Sequence, residues 1–108
     1  MKPIILISTT FESKADAERI AELLLDRKLI ACAQISAPMT SLYRWKGVTT
    51  SAIEYALNLK TVPQCTEEIK VFIRKEHPYD LPEIIIQEIG DSSNEYSEWI
   101  YGEVIPCP

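Results

Sequence analysis

Two runs of alternating character, separated by Lys46-Gly47, constrain this chain more than any other feature. From Ile30 to Trp45, Ala31, Ala33, Ile35, Ala37, Met39, Tyr43 and Trp45 share one parity, broken only by Ser41, while Cys32, Gln34, Ser36, Thr40 and Arg44 hold the other. A period of two sends alternate side chains to opposite faces of a strand. The pattern predicts one long strand, bulged or bent at Pro38, where a backbone donor is missing. Beyond the turn, Ile53, Tyr55, Leu57 and Leu59 alternate with Glu54, Asn58 and Lys60 as a second, half-buried strand. Adjacent strands joined by so short a loop form an antiparallel hairpin.

The flanking segments supply what covers it. Pro3 to Thr9 is a β-branched run that reads as a buried strand. Ser13 followed by Asp16 has N-capping spacing, and Ala17, Ile20, Ala21 and Leu24 recur at helical intervals, which predicts a helix over residues 14–28. Pro63 opens a second helix with Cys65, Ile69, Phe72 and Ile73 on one face, running to Glu76 or His77. Ile84 to Ile89 is apolar on both parities, as a central strand covered on both faces would be. Ser92 with Glu95 predicts a last cap, and Tyr96, Trp99 and Ile100 a short helical stripe ended by Gly102. The order βαββαβ plus a C-terminal helix is an α+β, ferredoxin-like split βαβ plan with an antiparallel sheet and helices on one face. One sheet face is then uncovered and the hairpin is overlong, features that an oligomer uses.

A chain of 108 residues makes one domain, residues 1–108. Its net charge of −5, without a basic stripe, argues against nucleic acid. The apolar run Ile4-Ile5-Leu6-Ile7 is too short for a leader or a membrane span. Cys32, Cys65 and Cys107 are far apart and odd in number, so no disulfide framework or zinc knuckle is read from them. Cys65 reads as a core residue and Cys107 as an exposed tail thiol. Together these point to a cytoplasmic, reduced protein.

The segment His77-Pro78-Tyr79-Asp80-Leu81-Pro82-Glu83 concentrates the chemistry. Pro78 pushes His77 out of the α region, so the second helix stops there, and Pro82 begins an extended segment. The corner displays the only imidazole of the chain, a phenol and two carboxylates. Its ordinary role is a stiff structural turn. One histidine beside one glutamate is not a nucleophile with its base, and no enzyme is read from it.

Several separated motifs carry a resemblance. Ala31-Cys32-Ala33, then Thr40-Ser41-Leu42-Tyr43-Arg44-Trp45-Lys46-Gly47, Lys60-Thr61, His77-Pro78-Tyr79 with Pro82-Glu83-Ile84, and Asn94-Glu95-Tyr96 with Trp99 resemble the CutA divalent-cation tolerance proteins in order and spacing. The resemblance runs from Ile4 to Trp99 and implies a ferredoxin-like subunit, a homotrimer, a cytoplasmic setting and a role in copper tolerance without catalysis. It also implies a copper site built from a cysteine late in the first strand and a His-His pair before the Pro-Tyr corner. Here Thr9 and Glu76-His77 occupy those positions, so softness and geometry together shift the set toward a weakly bound Cu2+ or another divalent cation. His77 is the expected main ligand, with Glu76 second and Cys32 a weaker candidate. Binding by an imidazole is expected to weaken with acidity. The alternative is a small-molecule sensor or interaction trimer similar to PII signalling proteins, with Tyr43, Trp45, Lys60, Tyr79 and Glu83 lining a cleft or an interface.

Overall fold

The computed structural model describes residues 2–105. Strand β1 (Ile4–Phe11) leads through Ser13 into helix α1 (Lys14–Asp26). Strands β2 (Cys32–Ile35), β3 (Met39–Trp45) and β4 (Val48–Thr61) follow. A 3-10 turn (Pro63–Cys65) enters α2 (Thr66–Glu76), and β5 (Ile85–Ile89) and α3 (Asn94–Glu103) complete the chain. The antiparallel sheet has the order β2-β4-β1-β5, with β3 pairing the outer part of β4. This is the ferredoxin-like arrangement that the element order predicts.

Local chemistry sets the ends of the elements. The Ser13 hydroxyl accepts from Asp16 N–H at 3.3 Å, as the cap spacing predicts. Lys46 and Gly47 take φ values of 50° and 79°, the paired left-handed conformation of a two-residue hairpin turn. Helix α3 is capped one residue later than expected: Ser93, not Ser92, accepts from Tyr96 N–H at 3.1 Å. Gly102 does not end that helix, which continues to Glu103.

The core lies between the sheet and the helices. Ile5, Ile7 and Phe11 from β1 and Leu57 and Leu59 from β4 meet Ala17, Ile20 and Leu24 of α1 and Ile69 and Ile73 of α2. Two buried hydroxyls close gaps at its rim, Thr61 Oγ1 donating to Leu29 O at 2.6 Å and Ser97 Oγ to Lys2 O at 2.7 Å. Cys65 is fully buried, but its sulfur belongs to a disulfide, which corrects the reading of three unlinked cysteines. The expectation for Cys107 falls outside the described residues.

Two expectations about the sheet are corrected. The 30–45 run is two strands rather than one, although the irregularity falls at Pro38 as expected. Between the pairs Ile35↔Leu57 and Met39↔Glu54 the chain advances four residues on one side and three on the other. The surplus residue falls at Ser36-Ala37-Pro38, where Ser36 Oγ accepts from Ala56 N–H at 2.8 Å. A bulge of this kind reverses which parity faces which side. Ala33 and Ile35 therefore face the helices with Leu59 and Leu57, whereas Met39, Tyr43 and Trp45, of the same parity, share the opposite face with Glu54. Strand β5 is an edge strand rather than a central one. Ile86 pairs with Ile7 toward the core, and Ile85 pairs with Ser8 on the uncovered face, 47% exposed.

Candidate functional site

The corner after α2 is locked by its own imidazole. Helix α2 ends with His77 N–H donating to Ile73 O at 2.8 Å, and His77 then turns to an extended φ, ψ of −72°, 137° before Pro78. The ring is buried, stacked on Phe11 with centroids 4.2 Å apart and planes 11° from parallel. With its proton on Nε2 it donates to Thr10 O at 2.8 Å, and Nδ1 accepts from Tyr79 N–H at 3.1 Å. Burial holds its pKa below the ordinary histidine value, against the pull of Thr10 O, Asp16 and Glu54 toward the charged form.

Tyr79, positioned by that imidazole, reaches the sheet. Its hydroxyl donates to Glu54 Oε2 at 2.7 Å. Glu54 is 8% exposed, and burial alone would raise its pKa. Hydrogen bonds from the hydroxyls of Ser41, Tyr79 and Thr10 outweigh that effect, so its carboxyl titrates below the usual range. Tyr79 responds in the opposite sense: burial and the Glu54 carboxylate push its phenol well above the ordinary value.

Between this corner and the hairpin lies a groove of about 720 Å³ on the uncovered sheet face. Ser8, Thr10 and Asn58 form part of its floor beside Glu54. Met39, Tyr43 and Trp45 wall it from β3, and Asp80, Leu81 and Glu83 from the corner loop. Glu12, just past β1, completes the rim. Of the residues expected in a cleft, Tyr43, Trp45, Tyr79 and Glu83 are thus gathered here. Lys60 is not: its Nζ sits 5.6 Å from the Tyr96 ring centroid, toward the other end of β4.

The three residues expected to engage a metal are not brought together. The side chain of Glu76 turns to α1, where Oε2 lies 3.4 Å from Arg19 Nη1 and its carbonyl accepts from Arg19 Nη2 at 3.1 Å. Cys32 pairs with Lys60, whereas Thr10, the acceptor for His77, pairs with Ala56. Four residues of strand separate the two levels, roughly 13 Å. Among the described residues no group of three or more His, Cys, Asp or Glu side chains is placed to hold a metal ion. Thr9 faces the core with its Oγ1 buried and unpartnered. The residues present therefore do not form a ready metal site within one subunit.

Sequence reasoning missed Glu54. It reads as an outward polar residue in an alternating strand, and only its pairing with Met39 across the bulge places it in the groove. Ser41, which breaks the apolar row, was the available signal, since its hydroxyl is one of the groups that hold Glu54.

Comparison with known proteins agrees with this architecture. The family model for CutA1 divalent ion tolerance protein matches residues 5–103. The divalent-cation tolerance protein CutA of Thermus thermophilus is 34% identical over 100 residues, covering 93% of this chain and 95% of that protein. The crystal structure of divalent ion tolerance protein CutA1 from Ehrlichia chaffeensis superposes with a TM-score of 0.89 at 36% identity, covering 94% and 95% of the two chains. That of the periplasmic divalent cation tolerance protein CutA from Archaeoglobus fulgidus gives 0.90 at 33% identity, covering 94% and 99%. With its sheet order, its His-Pro-Tyr corner and its hairpin all in place, the chain belongs to the CutA1 divalent ion tolerance protein family.

Proposed function

We propose that this chain is a homotrimeric, cytoplasmic binding protein that contributes to divalent-cation tolerance by engaging Cu2+ or another divalent cation weakly, without catalysis. The observation that carries this reading is the full commitment of the His77 ring. A cation at the corner has to displace Tyr79 N–H from Nδ1 or Thr10 O from Nε2. Leaving either buried backbone group unpaired costs about 1–3 kcal/mol. The carboxylate of Glu76, exposed and paired with Arg19 on α1, has to leave that pair to serve as the second donor. An affinity limited in this way suits tolerance of an excess of cation rather than permanent retention of one.

Assembly is supported by the apolar side chains that a single subunit leaves in water, Leu42 at 73%, Val48 at 63% and Ile53 at 56% exposure on the projecting hairpin. The net charge of −5 disfavours nucleic acid, and no described helix is long and apolar enough to cross a membrane. The test is a titration of chelator-stripped protein with Cu2+ and Zn2+, comparing His77→Ala with the parent. Weak binding that is lost in His77→Ala supports the proposal. Affinity unchanged in that variant excludes the corner, and cell fractionation tests the compartment.

A second reading is favoured by the groove itself. A volume of about 720 Å³ with an aromatic wall falls in the range of small-molecule sites. On that reading the protein is a PII-like sensor or interaction trimer that needs no physiological metal.

A further inference from the structure

We propose that the disulfide at Cys65 is a reversible thiol latch on the C-terminal end of the chain, closed by Cys107 and opened by a dithiol reductant. The latch sits just past the Thr61 end of β4, away from the hairpin, and goes beyond both readings above. Its pairing follows by elimination. The sequence holds three cysteines, Cys65 is disulfide-bonded and Cys32 is free on β2. Only Cys107, which lies outside the described residues, is left to supply the second sulfur. The reach is short as well. Ile105 O lies 3.8 Å from Cys65 Sγ, and the two residues that follow Ile105 span at most about 7 Å.

A latch needs a fold that survives its opening. Helix α3 is anchored without the disulfide: Ser97 Oγ donates to Lys2 O at 2.7 Å, the Tyr101 hydroxyl donates to Pro3 O, and Ile100 is fully buried. Past Glu103 the hold is thinner. Val104 is buried, and Ile105 N–H donates to Lys28 O at 2.9 Å in the turn after α1. A covalent tie here governs whether this end opens locally, while β1 and β4 do not depend on it. Opening is thiol–disulfide exchange. Cys65 is fully buried, so an incoming thiolate attacks the Cys107 sulfur, and Cys65 leaves with the electron pair of the broken S–S bond. It leaves at the N-cap of α2, which no side chain caps and where the helix dipole favours negative charge. The reductant's second thiol then attacks the mixed disulfide and releases Cys107. The dithiol becomes a disulfide, and its two protons complete two protein thiols. Oxidised glutathione reverses the exchange, leaving the protein disulfide and two reduced glutathiones.

The experiment takes the intact protein through three measurements. Peptide mapping after alkylation without reduction should find Cys65 linked to Cys107 and Cys32 alkylated. A link to Cys32, a link between two chains, or Cys65 recovered alkylated overturns the proposal. Dithiothreitol in about tenfold excess should then open the disulfide in native buffer with unchanged circular dichroism, and oxidised glutathione should close it again. Reduction that needs denaturant overturns the latch, because the bond is then a permanent staple. Unfolding on reduction overturns it too, because no folded open state exists. Last, amide exchange at Ile105 should be roughly tenfold faster in the reduced parent and in Cys107→Ser, with Ile7 and Leu59 unchanged. Equal protection of Ile105 in the open and closed forms shows that the disulfide does not hold the end, and removes the proposal. Cys32→Ser should match the parent in all three measurements, and loss of the disulfide in that variant contradicts the pairing.

Discussion

The Tyr79 hydroxyl donates to Glu54 Oε2 at 2.7 Å, joining the corner after α2 to the middle of β4. Because Tyr79 N–H is in turn held by His77 Nδ1, Tyr79 ties the buried imidazole to the carboxylate, one hydrogen bond running through its backbone and the other through its phenol. Tyr79→Phe removes a donor from a buried carboxylate while keeping the ring. The expected cost is about 1–2 kcal/mol in urea unfolding, together with a rise in the Glu54 pKa seen by carboxyl NMR. An unchanged Glu54 titration would show that Ser41 and Thr10 suffice.

Acid should weaken the fold in two stages. The folded pKa of His77 lies below its ordinary 6.5, so the unfolded chain takes up the proton first. Stability from this group is complete above 6.5 and falls as pH drops toward the folded value. Glu54 is likewise lowered from 4.5, so its contribution is present above 4.5 and disappears as pH falls through its folded value. Denaturation midpoints measured from pH 8 to pH 3, about the span of both groups, should decline in that order. His77→Gln, which cannot titrate, should flatten the first decline and leave the second.

Thr9 should respond unusually to an apolar replacement. Its Oγ1 is buried without a partner, whereas its methyl group packs like that of valine. Thr9→Val keeps the shape and removes the orphaned hydroxyl, so unfolding free energy should rise by about 1 kcal/mol. A loss of stability would mean that the hydroxyl finds a hydrogen bond in solution.

Replacing the exposed apolar side chains of the hairpin should dissociate the oligomer before it unfolds the subunit. Leu42→Ser/Ile53→Ser removes two large side chains that are 73% and 56% exposed in one chain. Light scattering across a dilution series should show a smaller species for this variant than for the parent, with unchanged circular dichroism. A parent that is monomeric at every concentration would remove the trimer.

The sequence makes the element order, the Lys46-Gly47 turn and the stop at His77-Pro78 legible because each depends on local chemistry alone. Capping, left-handed turns and proline sterics need no knowledge of partners. Pro38 marked the site of the bulge, but not its consequence for facing, since an extra residue leaves the period of two intact and shows only against the opposite strand. The same gap hid Glu54 and made β5 look central, where Ile85 is an isoleucine on the open face rather than in the core. Adjacency misleads at the corner as well. Glu76 and His77 are neighbours in sequence, yet one side chain pairs with α1 and the other packs under β1.

The fourteen residues of β4 tie two fates to one parity. Leu57 and Leu59 fill the core only while Glu54, Ala56 and Asn58 look into the groove. A single-residue insertion or deletion between Glu54 and Leu57 would turn every later side chain over, placing Asn58 and Lys60 against the helices. This strand should therefore accept many substitutions but almost no change in length. The neighbouring bulge shows where descent could accommodate a surplus residue: on the partner strand, at a proline, away from the shared spine.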